Sequence, residues 1–171
     1  MGILLAFCAG WLTCARGGQT SEDVVDALKA VRESDEAADL VAALRQHAGE
    51  FGRGKGLDMG VGSGVLLATL GMLGVQQLYG VDIDPGAVTA CRTLLDGLGL
   101  LERSRLFEGS LWEPLGDEVF DVVVANLPEF AATEPSDPDH APFWSMGGAD
   151  GRMLMDPFLT GLWLPAHVFG T

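Results

Sequence analysis

Positive charge is the scarcest property of this sequence: ten Lys and Arg stand against 24 Asp and Glu, a formal net charge of −14. Proteins that hold duplex nucleic acid usually do so with basic patches, because neutralising phosphates and releasing counterions supplies most of the affinity. A nucleic-acid partner is therefore disfavoured. Cysteine is scarce as well. Cys8, Cys14 and Cys91 are odd in number and lack paired CxxC spacing, so neither a disulfide framework nor a zinc site is indicated, and no metal is expected. Reduced thiols fit a cytoplasmic protein. Cys91 falls in a helical pattern and reads as core packing rather than as a nucleophile. His47, His140 and His167 fall in a lead-in helix, a loop and the tail, without the serine or carboxylate arrangement of a triad, and read as surface residues. Residues 2–15 are almost wholly apolar, yet they fall short of the roughly 20 residues of a bilayer span and lack the basic start of a secretory signal. They read as a buried segment, with a weak uncleaved signal as the minority reading, and no membrane partner is expected.

What is present suffices for one ordinary domain: 171 residues, 48% of them hydrophobic. Residues 21–51 follow a helical period, first through Val24, Val25, Leu28 and Val31, then through Leu40, Val41 and Leu44, with Ser21 and Ser34 or Asp35 as caps. Residues 1–51 are thus expected to form an apolar segment and helical lead-in, and residues 52–171 the main domain. After Gly52-Arg53-Gly54 the pattern becomes short apolar runs separated by glycine turns and helix-length segments, the alternation of βαβ units on a parallel sheet. Strands are expected at Lys55–Met59, Gln77–Asp82, 103–107 and 120–125, and helices at 64–73 and 85–98. The long irregular stretch 129–146, rich in Pro, Asp and Ala, reads as a loop over a site. Pro157 either kinks a helix begun after Asp150 or starts a new one capped by Asp156.

Three motifs carry chemistry. Asp58-Met59-Gly60-Val61-Gly62-Ser63-Gly64 joins a strand to a helix; its glycines let the backbone turn tightly and approach a ligand, and the helix amino terminus favours an anionic group such as a carboxylate. A dinucleotide loop needs GxGxxG, whereas here Val65 stands where the third glycine would be, and Asp58 suits a cationic amino group better than a pyrophosphate. Asp82 closes the next strand in Val81-Asp82-Ile83-Asp84-Pro85, where a carboxylate can accept from both ribose hydroxyls and Ile83 can lie against adenine; Asp84 is the better placed helix cap. Finally, Val122-Val123-Val124-Ala125-Asn126-Leu127-Pro128-Glu129 is a buried strand ending in an amide and a proline. The Asn126 side-chain oxygen and the Pro128 carbonyl can orient a substrate nitrogen, and Glu129 can accept a proton or hold a cation; by itself the stretch also fits a plain Asx-Pro turn.

In their order and spacing these residues resemble the class I S-adenosylmethionine-dependent methyltransferases, and within them the release-factor glutamine methyltransferase family, over residues 54–164. The stretch Phe107-Glu108-Gly109-Ser110-Leu111-Trp112-Glu113-Pro114-Leu115 is similar to that family's segment after the third strand, and Gly147-Gly148-Ala149-Asp150-Gly151-Arg152 to its GGxDG turn. The resemblance implies a Rossmann-like, doubly wound α/β fold with a mostly parallel sheet. It also implies a methyltransferase using S-adenosyl-L-methionine to methylate a nitrogen on a protein side chain or small molecule. Cofactor contacts fall on Asp58, Gly60, Gly62, Gly64, Asp82, Ile83, Ser110, Leu111 and Asn126, and acceptor contacts on Asn126, Pro128 and Glu129. Trp112 and Trp144 can line the acceptor pocket, and core packing or loop anchoring fits each at least as well.

The signature departs from the family's Asn-Pro-Pro-Tyr at Leu127 and Glu129, with Phe130 able to replace the aromatic, and Ser110 stands where the family commonly has Asp. The family's last strands are also expected to be lacking, since the chain stops at Thr171; a sheet ending at its fourth strand would leave an open edge for a second copy. Two other readings stay open: an inactive S-adenosylmethionine-binding module or truncated subunit, and, against the loop spacing, an NAD-dependent oxidoreductase.

Overall fold

Two glycine-rich turns and one aspartate turn cut the chain into βαβ units, and the strands they release align side by side. The computed structural model describes residues 35–49, 53–128 and 147–163. The apolar segment 2–15, the helical pattern around Val24 to Val31, Cys8, Cys14, His140, His167, Trp144, and the 129–146 loop with Glu129 and Phe130 lie outside the described residues.

Helix α1 (Asp35–Gln46) leads into β1 (Lys55–Met59), α2 (Val65–Met72), β2 (Gln77–Asp82), α3 (Pro85–Gly97), β3 (Ser104–Glu108), β4 (Val122–Ala125) and α4 (Met155–Trp163). The strands form a parallel sheet in the order β3-β2-β1-β4. Chain order reverses between β1 and β4, which makes the carboxyl ends of these strands the topological switch point, where open α/β sheets bind ligands. Strands buried on both faces read as continuous apolar runs rather than as alternation, and Val122, Val123, Val124 and Ala125 are all buried.

Period-two alternation still sorts the side chains between the faces. Leu78, Val122 and Val124 join Leu44 of α1, Leu67 and Leu70 of α2 and Leu94 and Leu95 of α3 in one buried cluster. Leu57, Met59, Tyr79, Val81, Val123 and Ala125 point the other way, into a second cluster with Leu127 and with Phe158 of α4. Each such side chain withdrawn from water contributes about 1.5–3 kcal/mol, so both faces anchor the sheet. Helix α3 shows how a few residues bound an element: the Asp84 carboxylate accepts from Gly86 N–H at 2.8 Å, Pro85 opens the first turn, and Cys91, Leu94 and Leu95 form its buried stripe. Just past its end, Gly99 takes φ 67°, and Leu100 N–H closes back on the Leu95 carbonyl at 2.8 Å.

Some limits move from their sequence-based positions. A 3₁₀ turn at Leu101–Arg103 delays β3 to Ser104, because the Arg103 guanidinium reaches back to the Val75 and Gly71 carbonyls. Phe120 and Asp121 precede β4, and the Asp121 side chain accepts from Lys55 N–H instead. Helix α4 begins at Met155, so Asp156 lies within its first turn, paired with Arg152, and does not cap it. Pro157 is the third residue of this helix, where a helix has no intrahelical use for its N–H. Among the described residues no helix is long and apolar enough to cross a membrane.

Candidate functional site

The glycine loop is laced to β2 before it enters α2. Gly60 and Val61 N–H both donate to the Val81 carbonyl, at 2.8 and 2.9 Å, and Gly64 N–H donates to Val61 at 2.8 Å. Gly60, Gly62 and Gly64 have φ of 77°, 49° and 85°, the left-handed region that side-chain-bearing residues enter at a cost of about 1–2 kcal/mol. The loop's glycines are therefore required by the backbone itself.

Asp82 is the hub. One carboxylate oxygen accepts from Gly62 N–H and the other from Asp84 N–H, both at 2.9 Å, while its backbone carbonyl accepts from Gly109 N–H at 2.9 Å. The glycine loop, the β2–α3 turn and the end of β3 are thus tied to one residue. A carboxylate has about four acceptor positions, so each oxygen keeps capacity for a ligand hydroxyl. Ile83, next in the chain, is 70% exposed, a large apolar side chain in water at the rim of this edge.

Asp58 is not an open surface acid. It is 1% exposed, beneath the first turn of α2, where Oδ2 accepts from Leu67 N–H at 3.0 Å and Oδ1 has no partner among the described residues. Burial, with the Asp82 charge adding to it against the Leu67 hydrogen bond, pushes its carboxyl well above the usual value of 3.8. An orphaned, fully buried carboxylate oxygen is costly, and a cationic ammonium reaching it would supply both partner and charge. The donor set so fits the amino-acid end of S-adenosylmethionine.

One consequence concerns the ligand-free protein. Between the ordinary carboxylate value and the raised folded one, the folded chain binds more protons than the unfolded chain, so stability is full in acid and falls as pH rises through the folded value. Asp58→Asn removes that slope. In urea melts the variant is expected to match the wild type near pH 4 and to exceed it near pH 8; parallel pH profiles would refute the assignment.

The loop after β4 closes the edge. A Cβ on Gly60 would lie 3.1 Å from Leu127 Cδ2 and 3.6 Å from the Asn126 carbonyl oxygen, so the glycine loop and the Asn126-Leu127-Pro128 turn are in close contact. Leu127 itself is buried in the second cluster, which gives this departure from the family signature a packing role, while Asn126 and Pro128 are half-buried at the rim. Asp58, the three glycines, Asp82, Ile83, Ser110, Leu111, Asn126 and Pro128 therefore all lie at the carboxyl ends of the four parallel strands; Glu129 is outside the described residues.

One feature escaped the sequence reading: Leu111 takes φ 47°, the one left-handed non-glycine among the described residues. Trp112, open in the sequence between an acceptor-pocket wall and a core or loop anchor, is an anchor, its Nε1–H donating to the Phe158 carbonyl of α4 at 3.0 Å. Cys91 packs in the core, as expected.

Residues 41–129, just over half of the chain, match the family described as ribosomal protein L11 methyltransferase (PrmA). The chain belongs to that family. This methyltransferase-family chain is also similar to the release factor glutamine methyltransferase of Geobacter sulfurreducens, 39% identical over 102 residues that cover 56% of this chain and 35% of that protein. To the ribosomal protein L11 methyltransferase of Deinococcus radiodurans it is 43% identical over 75 residues, 42% of this chain and 28% of the relative. The chain thus spans about a third of the length of these curated relatives. Among solved structures, protein arginine methyltransferase 10 of Arabidopsis thaliana shares the fold, with a TM-score of 0.52 at 23% identity over 62% of this chain and 31% of that one. The fold is the Rossmann-like one of the S-adenosylmethionine-dependent methyltransferases.

Proposed function

We propose that this chain forms the cofactor half of a methyltransferase that uses S-adenosyl-L-methionine to methylate a nitrogen, with a protein side chain as acceptor. The observation that carries this reading is the Asp82 hub, a carboxylate held by two backbone N–H groups between the glycine loop and the β2–α3 turn. When bound, the cofactor supplies a sulfonium methyl group that is already activated for displacement. Asp82 would accept from the ribose hydroxyls, Asp58 Oδ1 would partner the ammonium, and the glycine loop and the amino terminus of α2 would take the carboxylate. Ile83, Ser110 and Leu111 border the base.

At the other end of the site, the Asn126 side-chain oxygen and the Pro128 carbonyl accept from the acceptor nitrogen and hold its lone pair in line. Proximity and orientation of this kind are worth roughly 7–11 kcal/mol. No base is obligatory for a neutral amine or amide; Glu129, next in sequence, takes the proton released after transfer. A protein acceptor is supported by the names of the relatives, a release factor glutamine methyltransferase and a ribosomal protein L11 methyltransferase. Cytoplasmic location belongs to the same reading, supported by an odd number of cysteines without paired CxxC spacing. So does a homo-oligomer joined through the β4 edge, supported by the one-sided pairing of β4 among the described residues.

Calorimetric titration of the chain with S-adenosylmethionine, S-adenosylhomocysteine and NAD tests the cofactor. Binding of the first two at about micromolar affinity, roughly −8 kcal/mol, and none of NAD is the expected result. A folded chain that binds only NAD, or none of the three, would sink the reading.

A further inference from the structure

We propose that Trp112 is a positioning residue for the base end of the cofactor: its lock onto α4 holds the Ser110–Leu111 turn in the shape that reads the base, an inference that rests on the cofactor reading above. The turn leaves β3 directly beside Asp82, since Gly109 N–H donates to the Asp82 carbonyl at 2.9 Å. A ribose held on the Asp82 carboxylate therefore directs its base toward Ile83 and this turn. Ser110 brings no charge to the turn, and its hydroxyl both donates and accepts and so suits either base edge; discrimination between bases therefore rests on the placement of backbone donors and acceptors.

That placement is under strain. Leu111 at φ 47° costs about 1–2 kcal/mol, and such a conformation persists only when its surroundings over-determine it. The restraint comes from the next residue. Trp112 Nε1–H donates to the Phe158 carbonyl at 3.0 Å, and the two rings stack with centroids 5.6 Å apart and 9° between their planes. Phe158 is completely buried, in the cluster that also holds Leu127 beside Asn126. On the same helix Gly161 makes the room: a Cβ there would fall 2.1 Å from Trp112 Nε1, so any side chain at 161 displaces the indole. Helix α4 thereby braces the turn at the base end, and the same buried cluster backs the turn that carries Asn126.

Titration of the full chain with S-adenosylhomocysteine and with S-inosylhomocysteine tests this. In the inosyl ligand the exocyclic amine becomes a carbonyl and the adjacent ring nitrogen gains a proton, which inverts the edge a fixed backbone reads. Wild type is expected to prefer the adenosyl ligand by about tenfold or more, roughly 1.4 kcal/mol. Trp112→Leu is expected to bind the inosyl ligand as wild type does and to lose the preference, and Gly161→Ala, which leaves residue 112 unchanged, is expected to reproduce it. Trp112→Phe keeps the stack without the donor and is expected to fall between; it and Gly161→Ala decide the matter if the leucine variant fails to fold. A preference that survives in these variants overturns the proposal, and so does equal loss of both ligands, which marks a purely structural role. Wild type binding neither ligand overturns the cofactor reading itself, and this inference with it.

Discussion

Asp82→Ala is expected to weaken binding of S-adenosylhomocysteine by at least about a hundredfold while leaving a folded domain. The magnitude follows from the bonds at stake. Each oxygen of Asp82 already accepts one backbone N–H, from Gly62 and from Asp84, and in the proposed complex each would accept one ribose hydroxyl. Hydrogen bonds to a charged group contribute about 1.5–3 kcal/mol each, so losing two removes roughly 3–6 kcal/mol, or two to four decades of affinity. The structural cost is smaller, because Asp82 is half-buried and water can replace the carboxylate at both N–H groups. Asp84→Ala is the matched control. It removes the cap on Gly86 N–H, worth about 1 kcal/mol of stability, from a side chain that the proposed complex does not use. Titration and thermal melts of the two variants should therefore separate: lost affinity with modest destabilisation at 82, the reverse at 84. Equal affinity for wild type and Asp82→Ala would remove Asp82 from the site.

The residues around Asp82 also mark how far the sequence could be read. Strands β1 and β2 lie where the pattern put them, end to end, because local chemistry bounds them: glycine before and after β1, and Asp82 with Pro85 after β2. Asp84 was legible as the cap of α3 for the same reason, since its partner is two residues away. Where limits moved, a distant partner moved them. Arg103 leaves the strand for carbonyls at positions 71 and 75, and Asp121 spends its side chain on the start of β1. Asp58 was recognisable as an acid at a strand end, yet its burial and its bond to Leu67 depend on how α2 packs over β1. Trp112 is the extreme case: its partner lies 46 residues on, beyond the 129–146 stretch, and nothing in the local pattern distinguishes a clamp from a pocket wall.

Gly64→Ala is expected to cost about 2–5 kcal/mol of stability, the largest loss from any single added methyl group in the loop. Two costs combine at this position. The residue caps α2 at φ 85° and ψ 8°, and a side chain in that region costs about 1–2 kcal/mol. The new Cβ would also stand 2.6 Å from Cys91 Sγ and 3.0 Å from Cys91 Cα. The thiol cannot swing away from a fully buried position, and the α-carbon moves only with the whole of α3, so overpacking adds about 1–3 kcal/mol. Gly62→Ala separates the two costs, for it shares the left-handed backbone, φ 49°, but the nearest atom to its Cβ would be 3.9 Å away. Only the conformational cost of about 1–2 kcal/mol applies there. Against a total stability of about 5–15 kcal/mol, the difference should be plain in urea midpoints, with Gly64→Ala well below Gly62→Ala. Equal midpoints would mean that α3 yields to α2 at no cost. The spacing between these helices would then not be what holds the glycine loop against Asp82, and the hub would have to be rigid by its hydrogen bonds alone.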